Sequence, residues 1–298
     1  MNKNHAPFSL RGREFVFLAI PVYRLFLQDF CPKGALSVDI LTSKTNEKIR
    51  SAVAVRDSSK TRRESKTFFL EGARLCSDAA ENGIAIYRTF LSRTAQEKYG
   101  EYCKRITAAS EEVYGISDEV AAKLSDTQNS QGIFCICRAE KSAQGAALNT
   151  DGRYLMLENV QDPSNLGAIS RTAEALGIDG LIVCGGCDIY NPKALRASMG
   201  SALRMNIISR ANAVETINEA NENGMLTLAS TPDKNSVKIT EINMTGGTVC
   251  VVGNEGNGVT QETMNACRMR VTIPMGGRAE SLNAGTAAAI LIWEMVRE

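Results

Sequence analysis

The sequence predicts an α/β protein, with a parallel-sheet domain over 153–298 preceded by a smaller α/β module over 38–138. Three observations carry that expectation. In the second half, six apolar strand-like runs alternate with helical patterns, as in a parallel sheet covered on both faces. The first half mixes short helices and strands and is set off by a small, polar stretch. With 298 residues, 44% hydrophobic and 22% charged, the chain has the composition of a globular protein and room for two ordinary cores.

The elements follow in order. Residues 1–37 contain the run "FVFLAIPVY", interrupted by Pro21 and ended by Arg24; it is too short to span a bilayer, no small-residue cleavage site follows, and it reads as a tail or extension. A basic helix is expected near 44–57. "TFFLEG" reads as a strand entering a helix at 71–82 closed by Gly83, and "IAIYRTFLS" as a second strand. A helix over 94–106, a helix in "SDEVAAKLSD" that starts at Ser117 and Asp118, and a strand in "GIFCICR" complete the module. "AEKSAQGAALNTDG", 139–152, has no hydrophobic period and reads as the linker. Beyond it, strands are expected at 154–160, 180–186, 204–209, 225–231, 248–254 and 270–275, with helices at 165–176, 192–199, 212–223, 259–266 and 282–297.

Composition excludes several chemistries. Nine cysteines in no regular framework read as reduced thiols of a cytoplasmic protein. Cys135 and Cys137 share a strand face, and the Cys184/Cys187 C-x-x-C has no second pair nearby, so neither reads as a metal site. His5, the one histidine, lies in the tail, which argues against His-based nucleophilic catalysis and His-ligated metal. Charge is uneven: residues 1–138 hold 21 Lys/Arg against 16 Asp/Glu, and 139–298 hold 13 against 17. Within 44–66 eight basic residues face three acidic ones, either a solvated helix face or the start of a phosphate-binding surface.

Ligands in such sheets bind outside the carboxyl ends of the strands, where three unusual loops fall. In "ENVQDPSNLGAISRTAEALG", Asp162-Pro163 makes a turn, Asn165 is placed to cap the next helix, Gly167 permits close approach, and Arg171 falls in the second turn. "VVGNEGNGV", 251–259, alternates glycines with Asn254, Glu255 and Asn257, and is not a dinucleotide fingerprint. "IPMGGRAESLNAGTAAAILIWEM", 273–295, sets a Gly-Gly turn and Ser281-Leu282-Asn283 ahead of an apolar helix. Ser281 would cap it, while the Asn283 carboxamide needs partners of its own. Singly, each loop is also what an ordinary turn before a capped helix looks like.

Together, in this order, the three loops resemble the SpoU (TrmH-type) branch of the SPOUT RNA methyltransferases, and "YNPKALRASMGSALRM" resembles that family's linking segment. The resemblance covers about 154–298. The module with "KTRRESKTFFLEGARL" resembles an L30e-like substrate-binding domain, while residues 1–37 resemble nothing in the family. Cys187 stands where relatives carry another small residue, which counts against a redox role.

The resemblance implies transfer of a methyl group from S-adenosyl-L-methionine to a ribose 2′-hydroxyl of RNA, with ribosomal RNA favoured over tRNA. It also implies a homodimer, a deep trefoil knot, no metal and no membrane. It assigns cofactor contacts to Thr231, Gly253, Glu255, Ile273, Met275 and Leu282, and the reaction site to Asn165, Arg171, Glu255, Ser281 and Asn283. RNA contacts would come from Lys60, Arg62, Arg63, Lys193 and Arg196. A guanidinium is rarely deprotonated in a protein, so Arg171 is expected to act as a cation beside the 2′ oxygen, and Glu255 to position other groups. A tRNA 2′-O-methyltransferase and an inactive RNA-binding module are the alternatives.

Overall fold

The computed structural model describes residues 40–139 and 147–297. The expected tail at 1–37, with His5, and residues 140–146 of the expected 139–152 linker lie outside the described residues.

The N-terminal lobe contains β1 (Ile40–Leu41), α1 (Glu47–Asp57), α2 (Ser59–Ser65), β2 (Thr67–Glu71), α3 (Ala73–Glu81), β3 (Ile86–Ser92), α4 (Arg93–Lys98), α5 (Gly100–Ala108), β4 (Ser110–Ile116), α6 (Asp118–Leu124) and β5 (Ile133–Arg138). Its sheet runs β1-β4-β3-β5-β2, with β5 antiparallel to both neighbours. Phe69, Phe90, Phe134, Ile49 and Leu124 fill its core.

The basic helix expected near 44–57 is α1, while other local features depart from the expected elements. A second helix follows at once, because Ser58 is extended and its hydroxyl accepts from Thr61 N to start α2. The helix expected over 94–106 breaks at Tyr99, which leaves helical geometry between α4 and α5. β4 was not expected at all. Two adjacent glutamates hide its alternation, and its place is set by pairing with β3, where Arg88 stands opposite Glu112 and its Nε donates to that carboxylate at 2.7 Å.

The C-terminal lobe contains β6 (Arg153–Glu158), α7 (Pro163–Leu176), β7 (Gly180–Cys184), α8 (Pro192–Ala197), α9 (Ser201–Arg204), β8 (Ile207–Arg210), α10 (Ala213–Glu222), β9 (Leu226–Ser230), β10 (Val237–Lys238), a 3-10 turn at Ile239–Glu241, β11 (Thr248–Val252), α11 (Gln261–Ala266), β12 (Met269–Thr272) and α12 (Ala284–Val296). Every strand pair in this sheet is parallel, in the order β10-β12-β9-β11-β6-β7-β8. Alternation along the strands feeds two cores. Leu155, Leu157, Cys250 and Val252 face α7 and α12, and Met156, Val249 and Val251 pack with Ile217 and Ala220 of α10.

The two lobes are joined by specific contacts. Arg62 Nε donates to Asp188 Oδ2 at 2.7 Å, and Arg196 Nη2 to Asp126 Oδ2 at 2.7 Å. Arg204 bridges Asp78 of α3 and Glu174 of α7. Phe68 stacks on Tyr190 with ring centroids 4.6 Å apart.

Candidate active site

The carboxyl ends of β6, β9, β11 and β12 lie along one edge of the sheet, and the site grows from the loops that leave them. After β6, Asp162 caps α7 by accepting from Ser164 N at 2.8 Å, with Pro163 at the first helical position. This corrects the expectation that Asn165 caps. Asn165 lies inside the first turn and is only 8% exposed. Its carboxamide meets both of its needs across the site: Nδ2 donates to Glu255 Oε1 at 2.9 Å, and Oδ1 accepts from Asn283 Nδ2 at 3.0 Å.

Asn283, and not Ser281, caps α12, accepting from Gly285 N at 2.9 Å and Thr286 N at 3.3 Å. The helix begins at Ala284, so Ser281 stands too far upstream and is exposed. One carboxamide therefore closes a helix and still reaches the neighbouring loop.

Glu255 completes the chain. Its carboxylate accepts from Gln161 N and Asp162 N, each at 3.0 Å, besides Asn165. Desolvation pushes this carboxyl up, but the donors of Gln161, Asn165 and Asp162 outweigh it and hold the group at about 2. At neutral pH it is a fully ionised acceptor, which suits it to fixing loops and not to taking a proton. Asn254 ties the same loops again, donating from Nδ2 to Asn159 O at 3.0 Å.

At the same edge of the sheet, in the loops that leave β9 and β12, lies a cavity of about 630 Å³, lined by Thr231, Pro232, Asp233, Met275, Arg278 and Glu280 among others. Thr231 and Met275 were expected there. Ile273 packs against the core, and Leu282 is half-buried. Gly253 requires a correction. It is buried, and a Cβ on it would stand 2.0 Å from the Gly258 carbonyl carbon, so the tight turn of its own loop requires the glycine, whatever its backbone meets. Likewise, what comes close to Gly167 is α8: a Cβ there would meet Ala194 O at 2.4 Å. Asp233, Arg278 and Glu280 were missed, although the turn "TPDK" after β9 marks the same edge.

Arg171 projects from α7 at an exposed position and makes no hydrogen bond or ion pair among the described residues. It does not join the Asn165–Glu255 chain; six residues along a helix turn it to another face. The expected RNA-contacting residues divide. Lys60 and Arg63 are exposed on α2, and Lys193, also exposed, lies 3.6 Å from Asp162. Arg62, by contrast, is 5% exposed and is spent on Val55 O, Arg56 O and Asp188, so it is a structural residue and not a surface cation. Arg196 is committed to Asp126, and its Nη1 is buried without a hydrogen-bond partner among the described residues. Burial raises the thiols of Cys184 and Cys187 to about 11, so neither is a thiolate at neutral pH.

Known proteins are similar to this chain in sequence and in fold. The sequence pattern of the SpoU rRNA Methylase family matches residues 152–293, and that of the MRM3-like substrate binding domain matches 46–135. The chain is 28% identical over 256 residues to the 23S rRNA (guanosine(2553)-2′-O)-methyltransferase RlmP of Bacillus subtilis, covering 86% of this chain and 98% of that protein. It is 28% identical over 259 residues to an uncharacterized tRNA/rRNA methyltransferase of Synechocystis, covering 87% and 93%. The AdoMet-bound rRNA methyltransferase of Sinorhizobium meliloti superposes with a TM-score of 0.75 at 27% identity, over 87% of this chain and 97% of that one. A solved RNA 2′-O ribose methyltransferase does so with a TM-score of 0.72 at 27% identity, over 86% and 97%. With both lobes matched and the three loops joined at one sheet edge, the chain carries a SpoU methylase domain over 152–293 behind an MRM3-like substrate binding domain over 46–135.

Proposed function

We propose that the protein is an S-adenosyl-L-methionine-dependent methyltransferase that modifies a ribose 2′-hydroxyl in ribosomal RNA. The observation that carries this reading is the chain Asn283–Asn165–Glu255, which fastens the three family loops together at the carboxyl edge of the sheet, where the cavity also lies. The cavity fits the cofactor: its size is that of a small-molecule site, Pro232 and Met275 offer apolar contact for an adenine, and Asp233 and Glu280 offer acceptors for hydroxyl or ammonium donors. When bound, the cofactor supplies an activated methyl on a positively charged sulfur. The residues of this chain orient and exclude. Glu255 and Asn165 hold loop geometry. Arg171, exposed on another face of α7 and without a hydrogen bond or ion pair among the described residues, would bind a phosphate of RNA brought to that face, and from there favour loss of the 2′ proton of the adjoining ribose. Lys60, Arg63 and Lys193 offer further cations to the RNA backbone.

Two structural expectations belong to the same reading. Residues 273–283 lead from β12, across β9 and β11, to the contact with Asn165, a path that supports the trefoil knot of the family. A homodimer is supported by α12, where Trp293 is 54% exposed on an otherwise apolar helix; a second copy would cover it. Ribosomal RNA as substrate supports a cytoplasmic location. No helix among the described residues is long and apolar enough to cross a membrane.

The test is incubation of purified protein with methyl-labelled cofactor and separated RNA fractions, followed by mapping of 2′-O-methyl positions. Label in ribosomal RNA at a ribose is expected. Label confined to tRNA would replace the substrate. Normal cofactor binding without label in any RNA would defeat the reading.

A further inference from the structure

A continuous line of contacts runs from the substrate-binding lobe into the reaction site. It begins at Arg62 on α2. This side chain is almost fully buried, and its Nη1 donates to Val55 O at 2.8 Å and Arg56 O at 2.7 Å, closing the end of α1. Its Nε donates to Asp188 Oδ2 at 2.7 Å, in the loop that follows β7. Asp188 Oδ1 accepts from Tyr190 N at 2.9 Å, and the Tyr190 ring stacks on Phe68 of β2. The loop is in turn pressed on the first site loop. Cys187 N donates to Val160 O at 2.8 Å, and Gly186, at φ +80°, leaves no room for a Cβ, which would meet Val160 O at 2.3 Å. The next two residues after Val160 donate their backbone N–H groups to Glu255. Every step is a short, directional contact, and the path ends on the chain that joins the three loops.

We infer that Arg62 is a positioning residue for methyl transfer: through Asp188 it locks the substrate-binding lobe to the first site loop, so that RNA held by one lobe meets the reaction site of the other in one register. The inference rests on the function proposed above. Arg62 touches neither cavity nor surface, so its effect is on alignment. Misplacement of reacting groups by about 1 Å costs on the order of a hundredfold in rate, whereas binding of either substrate separately needs no such alignment.

The full-length protein with Asp188→Ala tests this. Cofactor affinity by calorimetry is expected to stay within about twofold, and KM for the RNA within about threefold, while kcat falls at least about tenfold. Asp188→Asn, whose single oxygen can serve Arg62 Nε or Tyr190 N but not both, is expected to show the same effects at smaller size, with kcat down about threefold. Amide hydrogen exchange is expected to quicken in 159–165 and 185–191 in the alanine variant and to leave 226–230 unchanged. An unchanged kcat, a rise confined to KM, or unchanged exchange in 159–165 would overturn the inference. If the alanine variant does not fold, the asparagine variant decides by the same kcat and exchange readings, since loss of the charge alone must loosen the lock measurably. Failure of the wild-type protein to methylate any RNA would defeat the function, and the exchange experiment would still report whether the lock exists.

Discussion

Asn165 uses one side chain to do what two loops require, because a primary carboxamide offers a donor and an acceptor on opposite corners. Replacing it with alanine leaves the Glu255 carboxylate and the Asn283 amide each one partner short. A loss of about 1–3 kcal/mol is expected on chemical denaturation, with methyl transfer reduced at least about tenfold. Retention of wild-type rate by Asn165→Ala would show that the chain does not organise the site. Glu255 gives a pH test. Its folded pKa, about 2, lies below the ordinary carboxylate value, so its stabilising contacts are fully present above about pH 4.5 and are lost as pH falls toward 2. No limb of the pH–rate profile between pH 5 and 8 should belong to it. An acid limb in that window that vanishes in Glu255→Gln would make it the proton acceptor instead.

Between elements, the cap of α12 separates two residues that look equivalent on paper. Asn283→Ala is expected to cost about 0.5–2 kcal/mol of stability as a lost N-cap, with a further loss of activity because Asn165 loses its donor. Ser281→Ala should leave thermal unfolding unchanged; a matching loss there would return the cap to Ser281. The strand periods and loop positions of the C-terminal lobe were legible in the chain, because continuous apolar strands and amphipathic helices carry strong periods, but the caps of α7 and α12 fall on residues other than those expected. β4 was not, since "SEEVYGI" shows its strand character only when Arg88 neutralises Glu112 across the ladder. The second helix, α2, was equally hidden, because "SKTRRES" carries no hydrophobic period and only the Ser58 cap starts it.

At the scale of the whole molecule, Arg204 bears on the acid response, because it joins Glu174 of its own lobe to Asp78 of the other. The bonds from Arg204 and Ser201 hold Glu174 at about 2, so their stabilising contribution is fully present above about pH 4.5 and is lost as pH falls toward 2. Acid unfolding followed by fluorescence between pH 5 and 2 should be less steep in Glu174→Gln; an identical slope would mean that the bridge contributes nothing. The exposed Trp293 makes the association testable: Trp293→Glu is expected to shift a dimer to monomer in sedimentation, with the fold intact by circular dichroism.

By itself the sequence determined the class of fold, the order of its elements and the three loops, since period, turn chemistry and loop spacing are local properties of the chain. Only the tertiary structure decided which asparagine caps and which bridges, that Gly253 serves its own turn, and that Arg62 is a buried tie and not a surface cation. Each of those depends on a partner about 90 to 130 positions away or on a backbone approach, and no local pattern encodes which distant group will arrive to satisfy a polar side chain.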